Sequence, residues 1–197
     1  MKRRAFVHGM SAAASFAALG PFTWGSRSSA PGRRVFRLDT GWRFRRDDWP
    51  GAPEPEFDDT SWDHATLPHT ARIESLVTGP AGSAEAQWQG ICWYRRRLRI
   101  DSQAADGVTL LRFEGAMNVA EVWLDGERIG GHLGGYLPFV LDLGGRLEPG
   151  RNHLLAVRLD NRDNPITGPK PLAELDFHPY HGLYRPVYLI CRDRLGI

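Results

Sequence analysis

The sequence is short of the groups that usually announce a chemistry. Two cysteines and three methionines in 197 residues are too few for a disulfide framework or a thiolate metal cage. The seven histidines stand singly, without the spacing of a zinc site, so no metal and no cofactor is expected. A GxSxG elbow, a P-loop and a dinucleotide fingerprint are all missing. No apolar run is long and hydrophobic enough for a comfortable bilayer span, so no integral membrane segment is expected. From residue 31 onward there is no helical stripe of any length and no internal repeat. The acids sit in turns, as at Glu54, Glu56, Asp58 and Asp59, and none of them reads as half of a catalytic pair.

What is present begins with a lopsided charge. The formal net charge is +2, yet residues 1–30 hold Lys2, Arg3, Arg4 and Arg27 and no acid. Beyond them, 21 basic residues face 23 acidic ones, so neither nucleic acid nor an anionic membrane is an expected partner. Residues 1–30 read as a targeting segment: a basic start, an Ala-rich apolar run over 9–19, then small and polar residues. The paired Arg3-Arg4 before an apolar run resembles a twin-arginine export signal. Small-x-small cleavage sites occur at Ser15-Phe16-Ala17 and Ser28-Ser29-Ala30. The expectation is a bacterial protein that works in the periplasm or outside the cell, with one domain over 31–197.

That domain reads as all-β. Short apolar–polar alternations mark strands at 35–38, 42–45, 93–100, 110–114, 119–124, 139–143, 153–160 and 187–191. Asp125-Gly126 sits between two such runs, and a tight hairpin turn needs the positive φ that this pair tolerates, so the return strand carries Arg128 and Ile129. Eight to ten short strands separated by turn signals predict a sandwich. In 93–100, Tyr94, Leu98 and Ile100 share one face, while Arg95, Arg97 and Arg99 read as a solvated face. Arg96 falls on the apolar side and calls for a buried carboxylate or a place at the sheet rim. The stretch FDDTSWDHATLPHT reads as a connector anchored by Trp62, and 72–89 and 161–176 as long loops. Cys92 and Cys191 fall on different strands; two separate buried thiols are favoured, and a bridge stays open.

An ordered series of segments then resembles the N-terminal sugar-binding domain of glycoside hydrolase family 2, the group of β-galactosidases, β-glucuronidases and β-mannosidases. The series is GWRF, FDDTSW…LPHT, WYRRRL, FEGAMNVAEVWLDGERIGGHLGGYLPFVLDL, LEPGRNHLLAVRLDN and DFHPYHGLYRPVYL, covering 38–189. Each segment alone is unremarkable; the order and spacing carry the resemblance. It implies a jelly-roll sandwich of the galactose-binding type, with a β-glycoside as ligand.

The resemblance also implies where a sugar would meet the chain. In the family this domain packs on a catalytic barrel and lends residues to the rim of the sugar pocket. Asp176 falls where the β-galactosidases carry an aspartate that contacts sugar hydroxyls, and a carboxylate accepts two hydroxyls in a fork. Phe177, His178, Tyr180 and His181 crowd the same loop, and His181 stands where the family more often has glycine. Asn161, at the end of the 155–161 strand, is a rim candidate with an equal claim to a turn-forming role. Asp176 has a structural alternative as partner of Arg185 or cap of its own loop, and Arg185 itself is expected to tie the last strand to a neighbouring loop. The sugar-contacting asparagine that the β-galactosidases place before the WYRRRL-like strand has no counterpart, because 72–89 contains no Asn. Retaining glycosidases need two carboxyl groups about 5 Å apart, and in the family both are glutamates on a barrel downstream of an immunoglobulin-like domain. No catalytic residue is therefore assigned, and the chain is expected to be inactive alone, with those downstream domains as its partners. A free-standing carbohydrate-binding module and a scaffold sandwich without a sugar role remain alternatives.

Overall fold

The computed structural model describes residues 33–71, 88–101, 107–167 and 180–192. Ten strands account for the regular structure of these residues: β1 Arg33–Arg37, β2 Trp42–Arg46, β3 Asp63–Ala65, β4 Ile91–Arg99, β5 Val108–Phe113, β6 Val119–Leu124, β7 Glu127–Leu133, β8 Phe139–Asp142, β9 Asn152–Asp160 and β10 Val187–Arg192. They form two antiparallel sheets, one ordered β1-β10-β5-β8 and the other β3-β2-β4-β9-β6-β7. This is the expected jelly-roll sandwich. The expected connector around Trp62 gains a short strand, β3, whose three residues pair Ala65 with Trp42.

The alternation read along each strand decides which side chains enter the space between the sheets. Trp42 and Phe44 of β2, Tyr94 and Leu98 of β4, Leu155, Val157 and Leu159 of β9, and Ala120, Val122 and Leu124 of β6 come from the larger sheet. Leu111 and Phe113 of β5 and Val187, Leu189 and Cys191 of β10 come from the smaller. Fully burying a side chain of the Leu or Phe class is worth roughly 1.5–3 kcal/mol, so this double row supplies the main driving force. Asp125 and Gly126 take φ values of 50° and 86°, the doubly positive pair a tight hairpin needs, and close β6 onto β7. Cys92 and Cys191 are both free and buried, on opposite sheets. Burial pushes the Cys92 thiol up to about 12.

The outer face of the larger sheet departs from the expected pattern. Residues 47–62 fold back across β4 and β9, and Trp49, Ala52, Phe57 and Trp62 pack on Trp93, Ala156 and Trp123 to make a second, smaller apolar layer. Arg95 lies under this cover with no exposed surface, so it is not part of a solvated face as the alternation implied. Its guanidinium donates to the carbonyls of Glu54 (2.8 Å) and Phe57 (3.0 Å) and to the Asp59 carboxylate (2.5 Å). It also stands 5.2 Å from the Phe57 ring centroid and 5.9 Å from that of Trp62. Arg97 and Arg99 are exposed as expected, Arg97 reaching the edge of the cover only through the Pro55 carbonyl at 3.4 Å. Arg96, between β2 and β9, donates from Nε to the Thr40 carbonyl at 2.7 Å; burial pushes its guanidinium down and the nearby Asp39 carboxylate holds it up.

Candidate functional site

The chain crosses between the sheets at the end of the sandwich where β4 begins and β9 finishes. There, residues 69–71 run beside 181–183, with His69 N–H donating to Leu183 O (2.9 Å) and Ala71 N–H to His181 O (3.1 Å). Gly182 O accepts from Met117 N at 3.2 Å, which links this pair of segments to the corner between β5 and β6. Gly182 has φ +90°, and a Cβ there would overlap the Tyr94 hydroxyl. No other residue type fits that position without displacing the core beneath it.

On this base stands a group of tyrosines. Tyr180 is 54% exposed and stacks on Tyr184, with ring centroids 6.0 Å apart and planes 13° from parallel. Tyr184 is held from two sides: its hydroxyl donates to Gly135 O at 2.6 Å, and the Arg185 guanidinium lies 5.2 Å from its centroid. Arg185 also donates to Tyr136 O (3.3 Å) and Glu114 O (3.4 Å), tying the entry to β10 onto the β7–β8 connection, the structural role expected of it. Tyr136 is 52% exposed. Burial pushes the Tyr136 phenol up, and burial with a smaller push from Tyr136 does the same to Tyr184 against the pull of Arg185. These hydroxyls therefore stay protonated, as hydrogen-bond donors, through the neutral range.

Of the residues singled out in the sequence, the structure places Tyr180 on this platform. His181 lies beneath it, fully buried. Asn161 is also at this end, 2% exposed, with its side chain spent on the chain itself: Oδ1 accepts from Gly90 N (2.5 Å) and Nδ2 donates to Trp88 O (3.3 Å). It braces the start of β4 against the end of β9. Asp176, Phe177 and His178 lie outside the described residues, as do most of the two expected loops. Tyr136 and Tyr184 were not singled out from the sequence; the signal available was the Gly134-Gly135 bend before Tyr136 and the four-residue spacing of Tyr180 and Tyr184.

The platform offers aromatic faces, phenol donors and one fixed guanidinium. It offers no acid–base pair: Asp160, the carboxylate at the adjoining strand end, is clasped by Arg162 at 2.5 Å. Among the described residues no group of His, Cys, Asp and Glu could hold a metal ion, and no helix is long and apolar enough to cross a membrane. An aromatic shelf with a few placed donors is what a saccharide ring requires, since it presents apolar C–H surface on its faces and hydroxyls around its edge.

Fold and platform together define a two-sheet β-sandwich with an exposed aromatic cluster at one end. The family described as glycosyl hydrolases family 2, sugar binding domain, matches residues 36–192, and the chain belongs to it. A β-glucuronidase from Formosa agariphila is 27% identical over 84% of the chain, and a β-galactosidase from Bacteroides ovatus is 30% identical over 87%. The chain spans 18% and 19% of the length of those two proteins. Among solved structures, Bacteroides uniformis β-glucuronidase 2, covalently bound to cyclophellitol-6-carboxylate aziridine, superposes with a TM-score of 0.71 at 27% identity, over 81% of this chain and 18% of that one. The similarity therefore covers the sugar-binding domain, and about four fifths of each relative has no counterpart in these residues.

Proposed function

We propose that this domain forms one wall of a β-glycoside pocket in a larger glycosidase, binding the sugar weakly itself and leaving bond cleavage to other domains. The observation that carries the reading is the exposed Tyr180 ring, stacked on a braced Tyr184 at the end of a domain from a sugar-binding family. A sugar face would lie on Tyr180, with the Tyr136 hydroxyl and the Arg185 fork within the same neighbourhood. Asp176, Phe177 and His178 are proposed as further contributors, on the family resemblance. The paired Arg3-Arg4 and the apolar run after them support export to the periplasm or beyond.

The test is titration of the isotope-labelled chain with methyl β-galactoside and methyl β-glucuronide, followed by NMR. Weak, saturable shifts centred on Tyr180 and Tyr136, lost in Tyr180→Ala without unfolding, are the expected result. Shifts centred elsewhere, or none with either sugar, would overturn the reading. Tight binding by the isolated chain would favour a free-standing carbohydrate-binding module instead.

A further inference from the structure

Beneath the tyrosine platform lies a polar pair that core packing alone does not explain. Tyr94 rises from the middle of β4 and is fully buried, its ring 4.9 Å from Phe44 and 6.2 Å from Trp42 between centroids. Phenylalanine would fill the same space without the cost of burying a hydroxyl. The hydroxyl instead lies 2.8 Å from His69 Nδ1, directly under Gly182. The His69 ring is wedged between Phe44 (4.6 Å) and Tyr94 (5.6 Å), while its backbone N–H holds Leu183 O. One residue thus touches both the core and the chain that carries the platform.

From this pair a continuous set of contacts leads to the exposed rings. The 69–71 and 181–183 segments are bonded side by side, and Gly182 O receives the Met117 N–H. The Met117 sulfur occupies the space where a Cβ on Gly135 would sit, and Gly135 O receives the Tyr184 hydroxyl. Tyr184 in turn supports Tyr180. Gly182 stands where the Tyr94 hydroxyl and the 69–71 backbone must come close, and Gly135 stands against the buried Met117 side chain, so a shift of the phenol below is passed to the close-packed groups above it.

We propose that Tyr94 and His69 are the positioning residues of the sugar-binding rim. Their hydrogen bond sets the height of the 69–71/181–183 ladder over β4, and through Met117 and Gly135 it sets the attitude of Tyr184 and Tyr180. The proposal rests on the sugar-binding reading above and adds to it the buried groups that hold the binding surface in place. A phenol that served packing alone would leave the rim unaffected when its oxygen is removed.

The experiment compares Tyr94→Phe, His69→Leu and His69→Asn with the parent chain by native-state amide hydrogen exchange and by the same sugar titrations. An asparagine amide can stand near the place of Nδ1 and keep a hydrogen bond to the phenol, whereas leucine cannot. The expected result is exchange at least tenfold faster at the His69, Ala71 and Met117 amides in Tyr94→Phe and His69→Leu. Amides in the central strands β4 and β9 should stay within about twofold of the parent, and His69→Asn should return the rim amides toward parent rates. Affinity for whichever methyl glycoside binds should fall at least fivefold in the first two variants and recover in the third. Uniform acceleration through both sheets, or unchanged rim amides, would overturn the proposal. If neither sugar binds the parent chain, the sugar reading fails on its own, and the exchange pattern still decides whether the pair holds the rim.

Discussion

Replacing Arg95 with methionine should cost this domain a large part of its stability. Methionine keeps most of the length and volume of the side chain but removes a guanidinium that satisfies three acceptors under the 47–62 cover. The Phe57 carbonyl would lose its donor, and an unsatisfied buried acceptor costs about 1–3 kcal/mol; the Glu54 carbonyl keeps the Phe57 N–H at 3.1 Å and loses less. Asp59 is 19% exposed at its side chain and can turn toward water, so its loss is smaller. The cation's contacts with Phe57 and Trp62 add roughly 0.5–1 kcal/mol. The expected total is about 2–4 kcal/mol, overlapping the range seen when one partner of a buried ion pair is removed. Small domains have only about 5–15 kcal/mol in all. Urea unfolding followed by tryptophan fluorescence reads the effect directly, because Trp62 and Trp93 belong to the affected layer, and the midpoint should fall by about 1–2 M. A cycle with Asp59→Asn should show a coupling of at least about 1 kcal/mol. Arg97→Met, on the same strand but exposed, should stay within about 0.5 kcal/mol of the parent. A loss below about 1 kcal/mol for Arg95→Met would mean that the cover admits water and does not depend on this residue.

Two further outcomes follow from buried groups. The Cys92 thiol is pushed up to about 12 from 9.0, so the folded chain keeps a proton that the unfolded chain releases. Stability should therefore fall as pH rises above 9, and the thiol alone accounts for roughly 1–2 kcal/mol at pH 10; Cys92→Ala should lose less stability between pH 8 and pH 10 in urea unfolding, and equal losses would count against the linkage. Asn161→Ala removes an acceptor for Gly90 N–H and a donor to Trp88 O and should cost about 2 kcal/mol, lowering Tm by roughly 4–8 °C. Asn161→Asp, which keeps the acceptor, should recover part of that loss; a variant with intact Tm but lost sugar binding would instead mark Asn161 as a ligand contact.

The sandwich was legible because each of its strands carries its own evidence. Leu155, Val157 and Leu159 alternate, Asp125-Gly126 marks its turn, and neither signal depends on a distant part of the chain. Arg95 was misjudged for the opposite reason. Its position in the alternation is what a solvated face would show, and only the return of 47–62 across the sheet turns it into a buried site. The β3 strand, Asp63–Ala65, is too short and too polar to alternate, and exists because Trp42 offers it an edge. At the rim the sequence named Tyr180 through its loop, but the platform also needs Tyr136, whose approach to the 180–185 segment depends on the Gly135 close contact with Met117. Residues brought together by topology leave no periodic trace, which is why the binding surface was less legible than the frame.

The pairing of β1 with β10 has a consequence for how the domain comes into being. Arg37 lies opposite Tyr188, so among the described residues β1 finds its sheet neighbour at the far end of the domain, roughly 150 residues away, a separation of the kind that slows folding. While the chain is still emerging from the ribosome, β1 lacks this partner. Its partner β10 also bonds to β5, so both the smaller sheet and the base of the tyrosine platform wait on the same late-arriving strand. Until that strand emerges, the part of the core that Val187, Leu189 and Cys191 of β10 close stands open to water and to other nascent chains, and that interval is when aggregation threatens most.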